Sequence, residues 1–292
     1  MKNIDEDNEI DLSAKIDENV IIGKFNKIGK NVVIQCPKNI NAKIDIGDCN
    51  IINDNTRIFI GEGGLTIGDW NVFHNDMLII GGKSMKIGHN CWFGQNTIID
   101  SSGGLEIGNG VRVGMYSQIW THVASGELIE GCTLYGMKKT TIEDDVWLVG
   151  SCMVSSGITL GEKGICLSGS NITKDTLSNS VYSGSPAKIM EKLNFYKPIS
   201  TIEKLNLMLK WVENYCSFNN NVTFSKTDDT IILYINDTSE RLIFICEEIK
   251  QNKKDTTYFS LKTKHYTKQL TSLERDFYRF IYGYKARFIP II

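Results

Sequence analysis

Positions 4, 10, 16, 22, 28, 34, 40, 46, 52 and 58 are all Ile. With 40 Ile in 292 residues, ten consecutive hits at one spacing would arise by chance with a probability on the order of one in a billion, so the repeat is real. An α-helix cannot use it, because six residues turn a helix by about 600° and carry successive Ile to different faces. Plain strand alternation would ask for apolar residues at every second position instead. A coil with three short flat sides does use it: each six residues form one side, and one aliphatic side chain per side points into the shaft.

The clock resumes after short insertions, with Ile67, Phe73 and Ile79, then Ile87, Phe93 and Ile99, then Ile107, Val113 and Ile119. These are 20-residue units, each an 18-residue coil with two extra residues at one corner. The phase returns at Ile142, Leu148, Val154, Leu160, Cys166 and Ile172. Because 23 residues separate Ile119 from Ile142, residues of about 123–140 must leave the coil as a loop. Long loops on regular scaffolds are where function concentrates.

Composition divides the chain near Pro186 to Pro198: 25 of the 26 Gly precede residue 190, and 17 of the 28 aromatics follow it. The expectation is a coil domain over 1–190 and a smaller α+β domain over 191–292. In the second part, TIEKLNLMLKWVENYC places Ile202, Leu205, Leu209, Val212 and Cys216 at helical spacing, and NVTFS, TIILYI and RLIFICEEI read as strands. SLERDFYRFIYGYKARF interleaves bases and aromatics. It reads as a helix packing its aromatics, with an anionic-glycan groove or a membrane-surface helix as alternatives. A net charge of −2 argues against a broadly basic nucleic-acid binder. No apolar run reaches the roughly 20 residues of a membrane span, nothing resembles a signal peptide, and the eight Cys show no zinc-ribbon spacing. Free thiols in a reducing cytoplasm are the corresponding expectation.

The run IEDDVWLVGSCMVSSGITLGEKGICLSGSNITKDTLSNSVYSGSPAKIM, residues 142–190, resembles the last coils and closing segment of the hexapeptide-repeat acyltransferase superfamily, in the branch of maltose, galactoside, serine and capsular-polysaccharide O-acetyltransferases. The resemblance covers about the first 190 residues. It implies an all-β, left-handed parallel β-helix, a homotrimer, and acetyl-CoA as co-substrate in the groove between neighbouring prisms. It also implies that a His at the start of the expelled loop is the general base, which here is His122. An imidazole suits that task because it titrates near neutrality. Trp147 follows 25 residues on; by resemblance it walls the acceptor and thioester site, and its place one position before the inward Leu148 turns the indole outward. Gly150, Ser168, Thr173, Lys174 and Lys188 carry over as coenzyme contacts, Lys174 as a charge partner for the nucleotide phosphates and Lys188 as a match to a basic position of the closing segment.

Backbone N–H groups at coil corners, such as those of Gly150 and Ser151, are candidates for holding the oxyanion. Glu127, Glu130, Asp144 and Asp145 lie near His122 in sequence, and each is a candidate to orient the imidazole. His74 and His89 fall in different columns of the repeat, so the three-His zinc site of a γ-type carbonic anhydrase is not expected, and no metal is required. The expected function is O-acetyl transfer to a carbohydrate hydroxyl, such as that of sialic acid or capsular polysaccharide. N-acetylation of a nucleotide-linked amino sugar is the alternative on the same fold.

Overall fold

A computed structural model describes residues 4–37, 42–124 and 126–291; Ile40 of the repeat and Ser125 of the loop lie outside the described residues. The chain divides into two compact units, Met1–Tyr196 and Lys197–Ile292. The division falls past residue 190 because the closing segment stays on the coil: the Met190 N–H donates to the Val181 carbonyl at 2.7 Å.

The first unit is a left-handed parallel β-helix. Apart from the expelled segment, its strands run in rotation through three sheets of ten, eight and seven strands as far as Asn171–Ile172, after which Val181–Ser183 and Lys188–Ile189 close the ten-stranded sheet as an antiparallel pair. Here the sheets are face 1 (for example Trp92–Phe93), face 2 (Ile98–Asp100) and face 3 (Leu105–Ile107). The six-residue clock is the core. From Ile22 to Ile172 every described inward position is buried, whereas Ile4, Ile10 and Ile16 of the first coil are only partly covered. Inside the shaft like stacks on like, as with Phe73 and Phe93, whose rings are parallel at 4.9 Å.

Buried corners need their backbone polar groups satisfied, and side-chain ladders do this. Asn50 donates its N–H to Asn26 Oδ1, Asn71 to Asn50 Oδ1 and Cys91 to Asn71 Oδ1, each at 2.8 Å.

The three corners are not alike. Between faces 3 and 1, and between faces 1 and 2, the chain turns tightly through left-handed residues such as Trp70 and Asn90, or Asp76 and Asn96. The corner between faces 2 and 3 takes every insertion. It widens at residues 61–64, 82–84 and 102–104, and then expels the segment after Thr121. That segment is a hairpin, His122–Ala124 against Tyr135–Met137, with a single 3-10 turn, Leu128–Glu130, between the arms.

The second unit packs helices α1 (Thr201–Phe218) and α2 (Ser272–Ile281) with a six-stranded mixed sheet. Ser200 and Glu203 close a capping box at the start of α1. The buried face of α1 is Leu205, Met208, Val212 and Tyr215, rotated from the expected set so that Ile202 is exposed. Phe277, Tyr278 and Phe288 are fully buried against Phe244, Phe259 and Tyr266. Three of the six aromatics of the basic stretch therefore form core, while Phe280 and Tyr282 are partly buried and Tyr284 is exposed.

Candidate active site

His122 stands where the hairpin leaves the wide corner, and it is half-buried. Its Nδ1 lies 2.9 Å from Oδ2 of Asp100, a fully buried residue one coil below. Thr121 donates its N–H (2.9 Å) and its hydroxyl (2.6 Å) to the same oxygen, while Ser102 donates its N–H (3.2 Å) and hydroxyl (2.6 Å) to Oδ1. Burial alone would push the Asp100 carboxyl up. The bonds from Ser102, Thr121 and His122 outweigh it and hold the group below its ordinary value of 3.8. Asp100 is thus a carboxylate at neutral pH and can only accept. The imidazole proton must then sit on Nδ1, which leaves the Nε2 lone pair available to a substrate. Trp120 packs edge-on to the imidazole with ring centres 5.8 Å apart, its Nε1–H held by Gln118 Oε1 at 3.0 Å.

The carboxylate on His122 is none of the four that lie near it in sequence. Asp144 sits at the corner between faces 3 and 1, where its Oδ1 accepts the Asn109 N–H at 2.7 Å. Asp145 occupies the same turn, and Glu127 and Glu130 are exposed in the hairpin loop. Asp100 is separated from His122 by 22 residues of sequence but by only one turn of the coil. The signal was present: Asp100 immediately follows the inward Ile99, a carboxylate in a column that holds Gln35, Phe59 and Ile80 in the coils below, and two serines follow it.

The remaining candidates fall in three places. Thr173 and Lys174 are exposed on the His122 corner two coils further on, following Ile172, which stacks through Val154 on Ile119. Trp147 is on face 1, in one column with Trp92 and Arg112; it is 44% exposed while its neighbour Leu148 is fully buried, so the indole does face outward. Gly150 and Ser168 sit at the corner between faces 1 and 2, linked by the Gly169 N–H donating to the Gly150 carbonyl at 3.0 Å. Ser151 donates its N–H to the Met115 carbonyl at 2.8 Å, so that group is held within the coil and cannot serve as an oxyanion donor. Lys188 is exposed on the closing hairpin of face 1.

The other histidines of this unit have separate roles. His89 Nδ1 accepts the Asp69 N–H at 2.8 Å as one rung of a corner ladder. His74 lies against Trp92, and burial favours its neutral form.

No family model matches the chain. Its relatives include the galactoside O-acetyltransferase of Lactococcus lactis, 31% identical over 170 residues, which are 58% of this chain and 64% of that protein. The galactoside O-acetyltransferase of Escherichia coli is 26% identical over 115 residues, 39% of this chain and 56% of that one. The chain thus spans less than two thirds of the length of these relatives. Among solved structures, the polysialic acid O-acetyltransferase OatWY aligns with a TM-score of 0.38 at 18% identity, over 66% of this chain and 92% of that one. In its six-residue repeat, its three-faced coil and its sequence relatives the chain is similar to the hexapeptide-repeat acyltransferase superfamily. The two sequence relatives named above are galactoside O-acetyltransferases.

Proposed function

We propose that this protein is an acetyl-CoA-dependent O-acetyltransferase acting on a carbohydrate hydroxyl, with an acceptor of the kind found in sialic acid or capsular glycans. The observation that carries the reading is the His122–Asp100 pair at 2.9 Å, set at the one corner where the coil opens. A sugar hydroxyl is a poor nucleophile until its proton begins to leave, and a thioester carbonyl already accepts attack. The protein's task is therefore to take that proton and to orient the two reactants.

His122 Nε2 removes the hydroxyl proton as the oxygen bonds to the acetyl carbon. Asp100 keeps the Nδ1–H tautomer in place and faces the positive charge that develops on the ring. As the C–S bond breaks, the imidazolium returns its proton to the departing thiolate. No covalent enzyme intermediate is required, and every step is proton transfer or acyl transfer. The site is composite in this reading. The corner between faces 2 and 3 is the vertex opposite face 1, which fits a homotrimer in which Trp147 on that face, with Gly150 and Ser168 at its edge, meets His122 of a neighbouring copy. Thr173, Lys174 and Lys188 then remain as contacts for the polar end of the coenzyme.

The test is CoA release from acetyl-CoA against free sialic acid, sialylated oligomers, neutral glycans and nucleotide-linked amino sugars, with His122→Ala beside the wild type. A hydroxyl-dependent signal lost in the variant is the expected result. A signal confined to amino sugars and retained in the variant contradicts it, because an amine needs far less help from a base.

A further inference from the structure

A groove of about 530 Å³ runs down the wide corner below His122. Its floor is almost free of side chains because the corner insertions bring Gly63, Gly82, Gly103 and Gly104 to it in successive coils. At Gly82 an added Cβ would meet nothing within 4 Å, so the space there is open. Lys83, Lys86 and Lys139 stand along it with Glu62 and Glu106, and Lys139 bonds Glu106, which leaves the lining with one positive charge in excess.

The lining of the groove is linked to the catalytic pair through one hydroxyl. Gly103 donates its N–H to the Thr121 hydroxyl at 2.8 Å, the hydroxyl that in turn holds Asp100. His122 pairs across the hairpin with Met137, two residues before Lys139. His122 therefore leaves the coil at the upper end of the groove. From the coil of Gly63 to that of His122 are three coil spacings of about 4.8 Å, roughly 14 Å, more than a single sugar ring requires.

We infer that this groove is the acceptor subsite, and that it takes an extended, carboxylate-bearing oligosaccharide whose acidic groups meet Lys83 and Lys86 while one hydroxyl reaches His122. The inference rests on the acetyltransferase reading above and adds polymer length and negative charge to the acceptor. The glycines supply close approach for sugar rings. Lysines suit scattered single carboxylates better than a fixed bidentate fork would, since each is a flexible point charge.

Binding separates this inference from catalysis. The affinities of a sialic acid tetramer, a galacturonic acid tetramer and neutral maltotetraose are measured by calorimetry on the wild type, Gly82→Phe, Lys83→Ala/Lys86→Ala and His122→Ala. Gly82→Phe fills the open space without a backbone clash, and circular dichroism verifies its fold; the lysine pair is exposed and gives a second variant that leaves the floor untouched. The expected result is binding of at least one acidic tetramer in preference to the neutral one. That binding is weakened about tenfold or more by either groove variant and retained in His122→Ala. Equal binding of acidic and neutral tetramers, or acidic binding unchanged in both groove variants, overturns the groove while leaving O-acetyl transfer intact. Failure of the wild type to bind any acidic tetramer overturns it as well. Loss of transfer to every carbohydrate with groove binding preserved would instead remove the activity and keep the site.

Discussion

Replacing Asp100 by Asn isolates what the buried carboxylate does. Asp100 Oδ2 takes three donors and Oδ1 takes two, so the carboxylate satisfies five N–H and O–H groups with its two oxygens. An amide offers one oxygen. If its NH2 group replaces Oδ2, it faces the Thr121 N–H and forces the imidazole to accept at Nδ1, which moves the ring proton to Nε2 and blocks the base. If the NH2 group replaces Oδ1, it faces the Ser102 N–H, and the imidazole keeps its bond but loses the charge that favours the imidazolium. The second arrangement conflicts with fewer donors and should dominate. One backbone N–H then lacks its partner, at a cost of about 1–3 kcal/mol in stability.

The charge-assisted bond to His122 is about twice as strong as its neutral replacement, and losing such an orienting partner costs about 10–100-fold in activity. The minority with the reversed tautomer pushes the loss toward the upper end. Wild type and Asp100→Asn would be compared by thiol release on a carbohydrate acceptor, with folded content matched by circular dichroism. A fall of about 100-fold in kcat with the KM for acetyl-CoA unchanged is expected. A folded variant that retains more than half the wild-type kcat would refute the orienting role.

Three further outcomes follow from the packing. Phe93→Ala opens a hole in the shaft where Phe73 and Phe93 stack at 4.9 Å, and should cost about 3–5 kcal/mol in a denaturant titration of the coil. Because the folded state holds Asp100 below its ordinary 3.8, its contribution to stability is complete above about pH 4 and is lost as pH falls through the lowered value; the gap in melting temperature between wild type and Asp100→Asn should narrow on acidification into that range. Glu274 shows the opposite sign: burial pushes its carboxyl above the ordinary 4.5, ahead of the bonds from Thr257, Gln269 and Leu270 that pull it down. Its favourable contribution is present below about pH 4.5 and declines as pH rises through the raised value. Glu274→Gln should therefore melt no lower than wild type at pH 8, and a clear loss there would contradict this.

The coil was legible because one inward side chain every six residues is a strictly local rule, and Ile22, Phe93 and Leu148 obey it as plainly in sequence as in the shaft. His122 was legible for a related reason, since it immediately precedes the break in the rule. Asp100 was not, because contacts across coils depend on how many residues each corner absorbs. Proximity in sequence favoured Glu127 and Asp144 over a residue one turn below. The groove escaped for the same reason: Gly63, Gly82 and Gly103 are unremarkable singly and become a floor only when stacked. In the second unit, Thr256–Ser260 is buried at all five positions and so lacks the alternation that marks a half-exposed strand. Helix α1 turned its buried face because Met208 and Tyr215 meet the core in place of Leu209 and Cys216.

In the proposed reaction an imidazole on a buried carboxylate assists transfer of an acetyl group onto a sugar oxygen. The most direct measurement is carbon NMR of the product formed from 13C-acetyl-CoA and a glycan without free amines, with wild type and His122→Ala side by side. An acetyl ester signal is expected with the wild type and none above background with the variant. An ester formed equally well by both, or an acetamide that appears only when amino sugars are supplied, would contradict it.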